Sequence, residues 1–155
     1  MSPKDDHAQI VVNPFLIYIT SGLGAFLLQK IAPLPFLAQP AASILGLILL
    51  LVSLPIGLPA ALGMVAAHTS LNPARPTTSL VRSGPYRRTR NPMYIGLTLT
   101  YAGLMTIFRL PWGLLLLPLV IWLITAWVIV PEERYLEGKF GTDYLSYKSG
   151  VARWL

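Results

Sequence analysis

The chain has 155 residues, of which 54% are hydrophobic and 12% charged, with a net charge of +6. Soluble domains devote about 25% of their residues to Asp, Glu, Lys and Arg, so half that share is too little to clothe a water-facing surface. Cysteine is absent, which excludes disulfides, thiolate nucleophiles, iron–sulfur clusters and thiolate zinc sites. The length suits one domain, 1–155, and the composition reads as an integral membrane protein.

Charge spacing places the spans. Charge-free stretches run over residues 7–29, 31–74, 91–108 and 110–131, which are 23, 44, 18 and 22 residues long. A spanning helix needs about 20 mostly apolar residues, so each stretch holds one. The expected helices are Pro14–Ile31, Ala41–Ala67, Pro92–Phe108 and Trp112–Val130. The second is longer than a bilayer requires and carries Pro55 and Pro59, which should kink it or divide it in two. Leu110-Pro111 leaves room only for a tight turn, so spans three and four should form an antiparallel hairpin. The fold class is therefore all-α: a polytopic transmembrane helical bundle of about four spans.

Four spans put ten of the twelve basic residues on one side, Lys4 and Arg153 among them, and leave Lys30 and Arg109 opposite. That asymmetry places both termini and the Ala67–Arg90 loop in the cytoplasm. The positive charge then faces lipid headgroups, and no soluble basic domain is present to dock on nucleic acid. The first apolar run is read as a retained span, because acidic Asp5 and Asp6 stand where a cleaved signal peptide carries basic residues.

Polar chemistry concentrates in two segments that this topology brings to one face. In the first, Gly84-Pro85 marks a turn, and Asn91 before Pro92 reads as an N-cap followed by the favoured first-turn proline. The amides of such a helix start attract a carboxylate or phosphate, and Arg88 and Arg90 strengthen that preference. In the second, Glu132-Glu133 sits where the fourth span leaves the membrane. Adjacent carboxylates repel, so at least one needs a partner. Leu136, Phe140, Tyr144 and Tyr147 recur at helical spacing and give a C-terminal interfacial helix an apolar face. Arg153 would join the site only if the tail folds back. His68, at the cytoplasmic end of the second span, reads as a polar interface residue, and Trp127 and Trp154 as interfacial belt aromatics.

Val81-Arg82-Ser83-Gly84-Pro85-Tyr86, then Arg90-Asn91-Pro92-Met93-Tyr94 with Gly96, then Glu132-Glu133, Leu136, Phe140-Gly141, Tyr144, Tyr147 and Arg153-Trp154 together resemble the isoprenylcysteine carboxyl methyltransferase and phospholipid N-methyltransferase superfamily. The resemblance runs from residue 80 to 155, and the N-terminal half shares only hydropathy and the final approach, Met64 to Pro76. It implies an integral membrane methyltransferase that uses S-adenosyl-L-methionine, without a metal, at the cytoplasmic face. It assigns cofactor binding to Val81, Gly84, Pro85, Tyr86, Arg90, Asn91, Pro92, Met93, Tyr94, Glu132 and Glu133, and catalysis to Arg90, Glu133 and Tyr94. Asn91 stands where prenylcysteine enzymes generally have His, and the Asn-Pro-Met-Tyr form is closer to phospholipid methyltransferases. The acceptor is a lipid or lipophilic small molecule, with carboxylate, amine and thiol nucleophiles all left open, as is the oligomeric state. An NADPH-dependent membrane reductase of related architecture and a non-catalytic lipid-binding scaffold are the alternatives. A channel ranks last, because no span holds an internal charge.

Overall fold

The computed structural model describes residues 6–155; Lys4 and Asp5, used in the charge reading above, lie outside them. Helix α1 spans Pro14–Ile31, as the sequence predicts. It starts there because the Asn13 side chain accepts from the Phe15 amide at 3.0 Å while Pro14 needs no donor partner. Helix α2 spans Gln39–Ala66, 28 residues that remain one continuous helix through Pro55 and Pro59. At 1.5 Å per residue it is roughly 42 Å long.

These two helices are long and apolar enough to cross a membrane, and only 22% and 17% of their most apolar windows are buried by the rest of the protein. Leu47, Ile48, Leu51, Leu54, Leu58 and Leu62 of α2 all stand exposed. A ridge of this kind needs an apolar surrounding. Helix α3, Pro92–Ile107, has 16 residues. The expected fourth span, Trp112–Val130, is a succession of shorter pieces, α4 (Pro111–Leu115), α5 (Leu117–Ile124) and a π-helical turn (Thr125–Ile129), and leads directly into α6 (Val130–Phe140). Length and apolarity thus qualify two of the four expected spans.

Helices α2 and α3 end in the same way. After α2, His68 takes φ 52° while the His68 and Thr69 amides donate to Val65 and Met64 carbonyls. After α3, Arg109 takes φ 54° while Arg109 and Leu110 donate to Thr106 and Met105. This is the Schellman closure, with ordinary residues in the position that favours glycine. His68 is exposed, and its carbonyl accepts from the Thr78 hydroxyl at 2.7 Å, so its part here is in the turn.

Helices α2 and α3 pack antiparallel through facing glycines. A Cβ on Gly96 would lie 2.8 Å from the Gly57 Cα, and one on Gly103 would lie 2.9 Å from the Gly46 carbonyl oxygen. Small residues allow backbones this close where lipid gives helices no hydrophobic incentive to associate. Helix α1 and the α4–α5 segment close the other side of α3, around Tyr18, Tyr101, Met105, Val120 and Ile124. The tail breaks at Gly141 (φ 52°) into α7, Thr142–Gly150, so the expected single interfacial helix is two short helices.

Because Gly96 abuts backbone, replacement by leucine forces α2 and α3 apart. We expect Gly96→Leu to destabilise the purified protein by about 1–3 kcal/mol or more, read as a lowered midpoint in thermal denaturation; an unchanged midpoint would contradict this packing.

Candidate functional site

The segment after α2 folds back over that helix end. Ser79 and Thr78 hydroxyls donate to the Ala67 and His68 carbonyls, both at 2.7 Å, and the Thr78 amide donates to the Thr69 hydroxyl at 3.1 Å. The chain then makes a 3₁₀ turn, Gly84–Arg87, that buries Tyr86. Tyr147 of α7 donates to the Tyr86 carbonyl at 2.7 Å and clamps the turn from the other side.

The last residues return alongside the start of α3. The Arg90 amide donates to the Ala152 carbonyl at 2.9 Å, and the Thr89 hydroxyl (3.1 Å) and Asn91 Nδ2 (2.9 Å) both donate to the Arg153 carbonyl. Asn91 does precede α3 as expected, but its side chain makes no N-cap hydrogen bond. The amide that would have capped the helix holds the tail instead.

This return completes a buried ion cluster. Glu133, 5% exposed, accepts from Arg153 Nε at 3.0 Å on Oε1 and from Nη2 at 2.7 Å on Oε2, and Arg90 Nη2 lies 3.2 Å from the same Oε1. Two guanidiniums supply the partner that the adjacent-carboxylate repulsion demands. Arg90 remains incompletely satisfied: its Nε and Nη1 are buried with no hydrogen-bond partner among the described residues. Orphaned buried donors of this kind carry a desolvation cost and invite an acceptor.

Glu132 has a different environment. Its carboxylate accepts from the Tyr94 hydroxyl at 3.1 Å and forms no ion pair among the described residues. Burial pushes its pKa up to about 7; the nearby charge of Glu133 adds to the rise, and the Tyr94 hydrogen bond opposes it. Burial, with the Glu132 charge, also holds the Tyr86 phenol above its ordinary range.

These groups surround one cavity. Of the residues singled out by sequence, it brings together Val81, Tyr86, Arg90, Asn91, Met93, Tyr94, Glu132 and Glu133, with Leu136, Tyr144 and Tyr147. Gly84 and Pro85 line a separate outer groove, and Pro92 is buried at the helix start without lining either. Met64 at the end of α2 and Thr69, Leu71, Thr77 and Ser79 of the loop after it also line the cavity; they precede the first motif and are not among the site residues singled out by sequence. A second cleft of about 540 Å³ opens between α2 and α3, walled by Leu54, Gly57, Leu58, Leu97 and Thr100. Leu71, Met93 and Tyr94 border both spaces.

A model of the phospholipid methyltransferase family matches residues 41–143, about two-thirds of the chain. The chain belongs to the phospholipid methyltransferase family. The match takes in α2, the 3₁₀ turn, α3 and the Glu132-Glu133 pair, whereas α1 and the returning Ala152–Arg153 segment lie outside it. No curated protein and no solved structure matches the chain. Membership in a methyltransferase family makes this chain an enzyme, and its two exposed apolar helices suit a membrane.

The site of this methyltransferase predicts a pH signature. Glu132 binds its proton more tightly folded than unfolded, so its contribution to stability is full below the ordinary carboxylate pKa and is lost as pH rises through about 7. The ligand-free protein should therefore melt at lower temperature at pH 8 than at pH 5, and Glu132→Gln should remove that part of the slope. Identical pH–melting profiles for the two proteins would overturn the assignment.

Proposed function

We propose that the protein transfers a methyl group from S-adenosyl-L-methionine to a lipophilic acceptor at the cytoplasmic face of the membrane. The observation that carries this reading is the Arg90 guanidinium, buried beside the cavity with two nitrogens unpaired among the described residues. A carboxylate answers that demand with a charge-assisted hydrogen bond. On the same wall Glu132, with no cation of its own, suits the positive groups of the same cofactor, and Tyr86, Tyr144 and Tyr147 offer aromatic faces. Bound there, S-adenosyl-L-methionine supplies an electrophilic methyl on sulfonium, which needs an aligned nucleophile rather than a metal or covalent intermediate.

The protein's share of that reaction is orientation and exclusion of water. Arg153 and Arg90 fix Glu133, and the fixed Glu133 holds Arg90 toward the cavity. The returning tail and α7 cover the site from the cytoplasmic side. The acceptor enters through the α2–α3 cleft, whose lining is mostly apolar, and meets the cofactor at Tyr94 and Met93, which border both spaces. Glu132, held by Tyr94 and with its pKa near neutrality, is positioned to take a proton from an acceptor that must lose one. In this arrangement α3 and the α4–α5 run complete four spans, with both termini and the cavity on the basic face.

Titration calorimetry with S-adenosylhomocysteine tests the pocket. Arg90→Ala should weaken binding by at least tenfold, the loss of about one charge-assisted hydrogen bond, while the wild-type protein shows no heat with NADPH. Unchanged affinity in Arg90→Ala, or NADPH binding in place of S-adenosylhomocysteine, would overturn the reading. Calorimetry at pH 6 in buffers of different ionisation enthalpy should also reveal proton release from Glu132 on binding, absent in Glu132→Gln.

A further inference from the structure

The 3₁₀ turn has two faces, and the cavity uses only one. Tyr86 points inward, while Arg87 and Arg88 are exposed and form no ion pair among the described residues. Beneath the two arginines lies a groove of about 520 Å³, walled by Pro55 and Ile56 of α2 and Ile95 of α3, with Gly84 and Pro85 at its mouth. None of its lining residues borders the methyl-transfer cavity or the α2–α3 cleft. Its apolar floor is continuous with the exposed leucines of α2 that require lipid. One end is therefore apolar and membrane-deep, and the other carries two uncompensated guanidiniums at the level where α3 begins.

We propose that this groove binds one anionic phospholipid, its acyl chain along Pro55, Ile56 and Ile95 and its headgroup phosphate between Arg87 and Arg88. Charge complementarity selects the headgroup, because a net-neutral lipid offers its phosphate already paired with its own ammonium. Two planar forks suit phosphate oxygens better than point charges would. Gly84, at φ 59° and with open space where a Cβ would stand, lets the headgroup reach the backbone of the turn. Since the same four-residue turn carries Tyr86 into the cavity, an occupied groove also steadies one wall of the methyl-transfer site.

The test uses the full chain in nanodiscs of phosphatidylcholine with and without phosphatidylglycerol, with lipid retention followed by native mass spectrometry and stability by thermal melting. Phosphatidylglycerol should be retained selectively and raise the melting temperature. At about 1 kcal/mol per basic residue near a membrane surface, the double variant Arg87→Ala/Arg88→Ala should bind it roughly thirtyfold more weakly. Ile56→Trp, which fills the floor and leaves every charge in place, should also lose selective retention. Arg75→Ala/Arg134→Ala removes the same charge from exposed positions elsewhere and should behave as wild type. Far-ultraviolet circular dichroism in phosphatidylcholine alone reports that each variant is folded, independently of anionic lipid and of any cofactor. Equal losses in the two double variants would reduce the effect to general surface charge and overturn the groove, as would full retention in Ile56→Trp. An equal thermal shift from inorganic phosphate alone would replace the lipid with a free anion and overturn the proposal too.

Discussion

Glu133 is the hinge on which the arrangement turns. A buried carboxylate is tolerable only if its charge is matched at close range, and here two arginines from opposite ends of the functional half do so. Arg90 arrives with the start of α3, Arg153 with a tail that must double back to reach it. Removing Glu133 leaves two guanidiniums facing each other without their shared carboxylate, which is costlier than losing a surface ion pair. The cluster therefore enforces closure: the tail docks, α7 is drawn over the cavity, and Tyr147 locks the turn that carries Tyr86.

The division of labour between the two glutamates follows from their neighbours rather than from their chemistry. Glu133 spends its charge on arginines, and Glu132 meets only a phenol and a repelling neighbour. Two identical side chains thereby acquire different proton affinities, one committed to structure and the other free to respond to a ligand. A cavity for a compound that carries both a carboxylate and positive groups needs this kind of polarity, with an unsatisfied cation at one place and an unpaired acid at another.

Much of this was legible in the sequence. The charge-free runs located the apolar helices, α1 among them, and Val81, Tyr86, Arg90, Asn91, Met93, Tyr94 and the two glutamates line one cavity. What stayed hidden has physical reasons. The docking of the tail rests on backbone carbonyls of Ala152 and Arg153, and backbone partners leave no mark in side-chain patterns. Asn91 reads as a cap because caps are what Asn before Pro commonly does; only the fold reveals a better acceptor within reach. Gly84 and Pro85 share a motif with Tyr86, yet a tight turn sends neighbouring residues to opposite faces. The loop residues Thr69, Leu71 and Thr77 enter the cavity through tertiary folding alone.

The π-helical turn has a consequence for reading related sequences. From Val120 to Glu133 the buried positions are Val120, Ile124 and Val128, a spacing of four, and then Ile129 and Glu133, the same spacing moved on by one. The wide turn, in which the Val130 amide reaches the Thr125 carbonyl, absorbs the extra residue. In an uninterrupted α-helix the series would run on to position 132, since each residue rotates the helix by about 100°. A relative that lacks one residue over Thr125–Ile129 can therefore run as an unbroken α-helix and still offer its second glutamate to the arginines, whereas a relative of equal length without the wide turn would offer the first, so homology by column and homology by role part company where no gap shows.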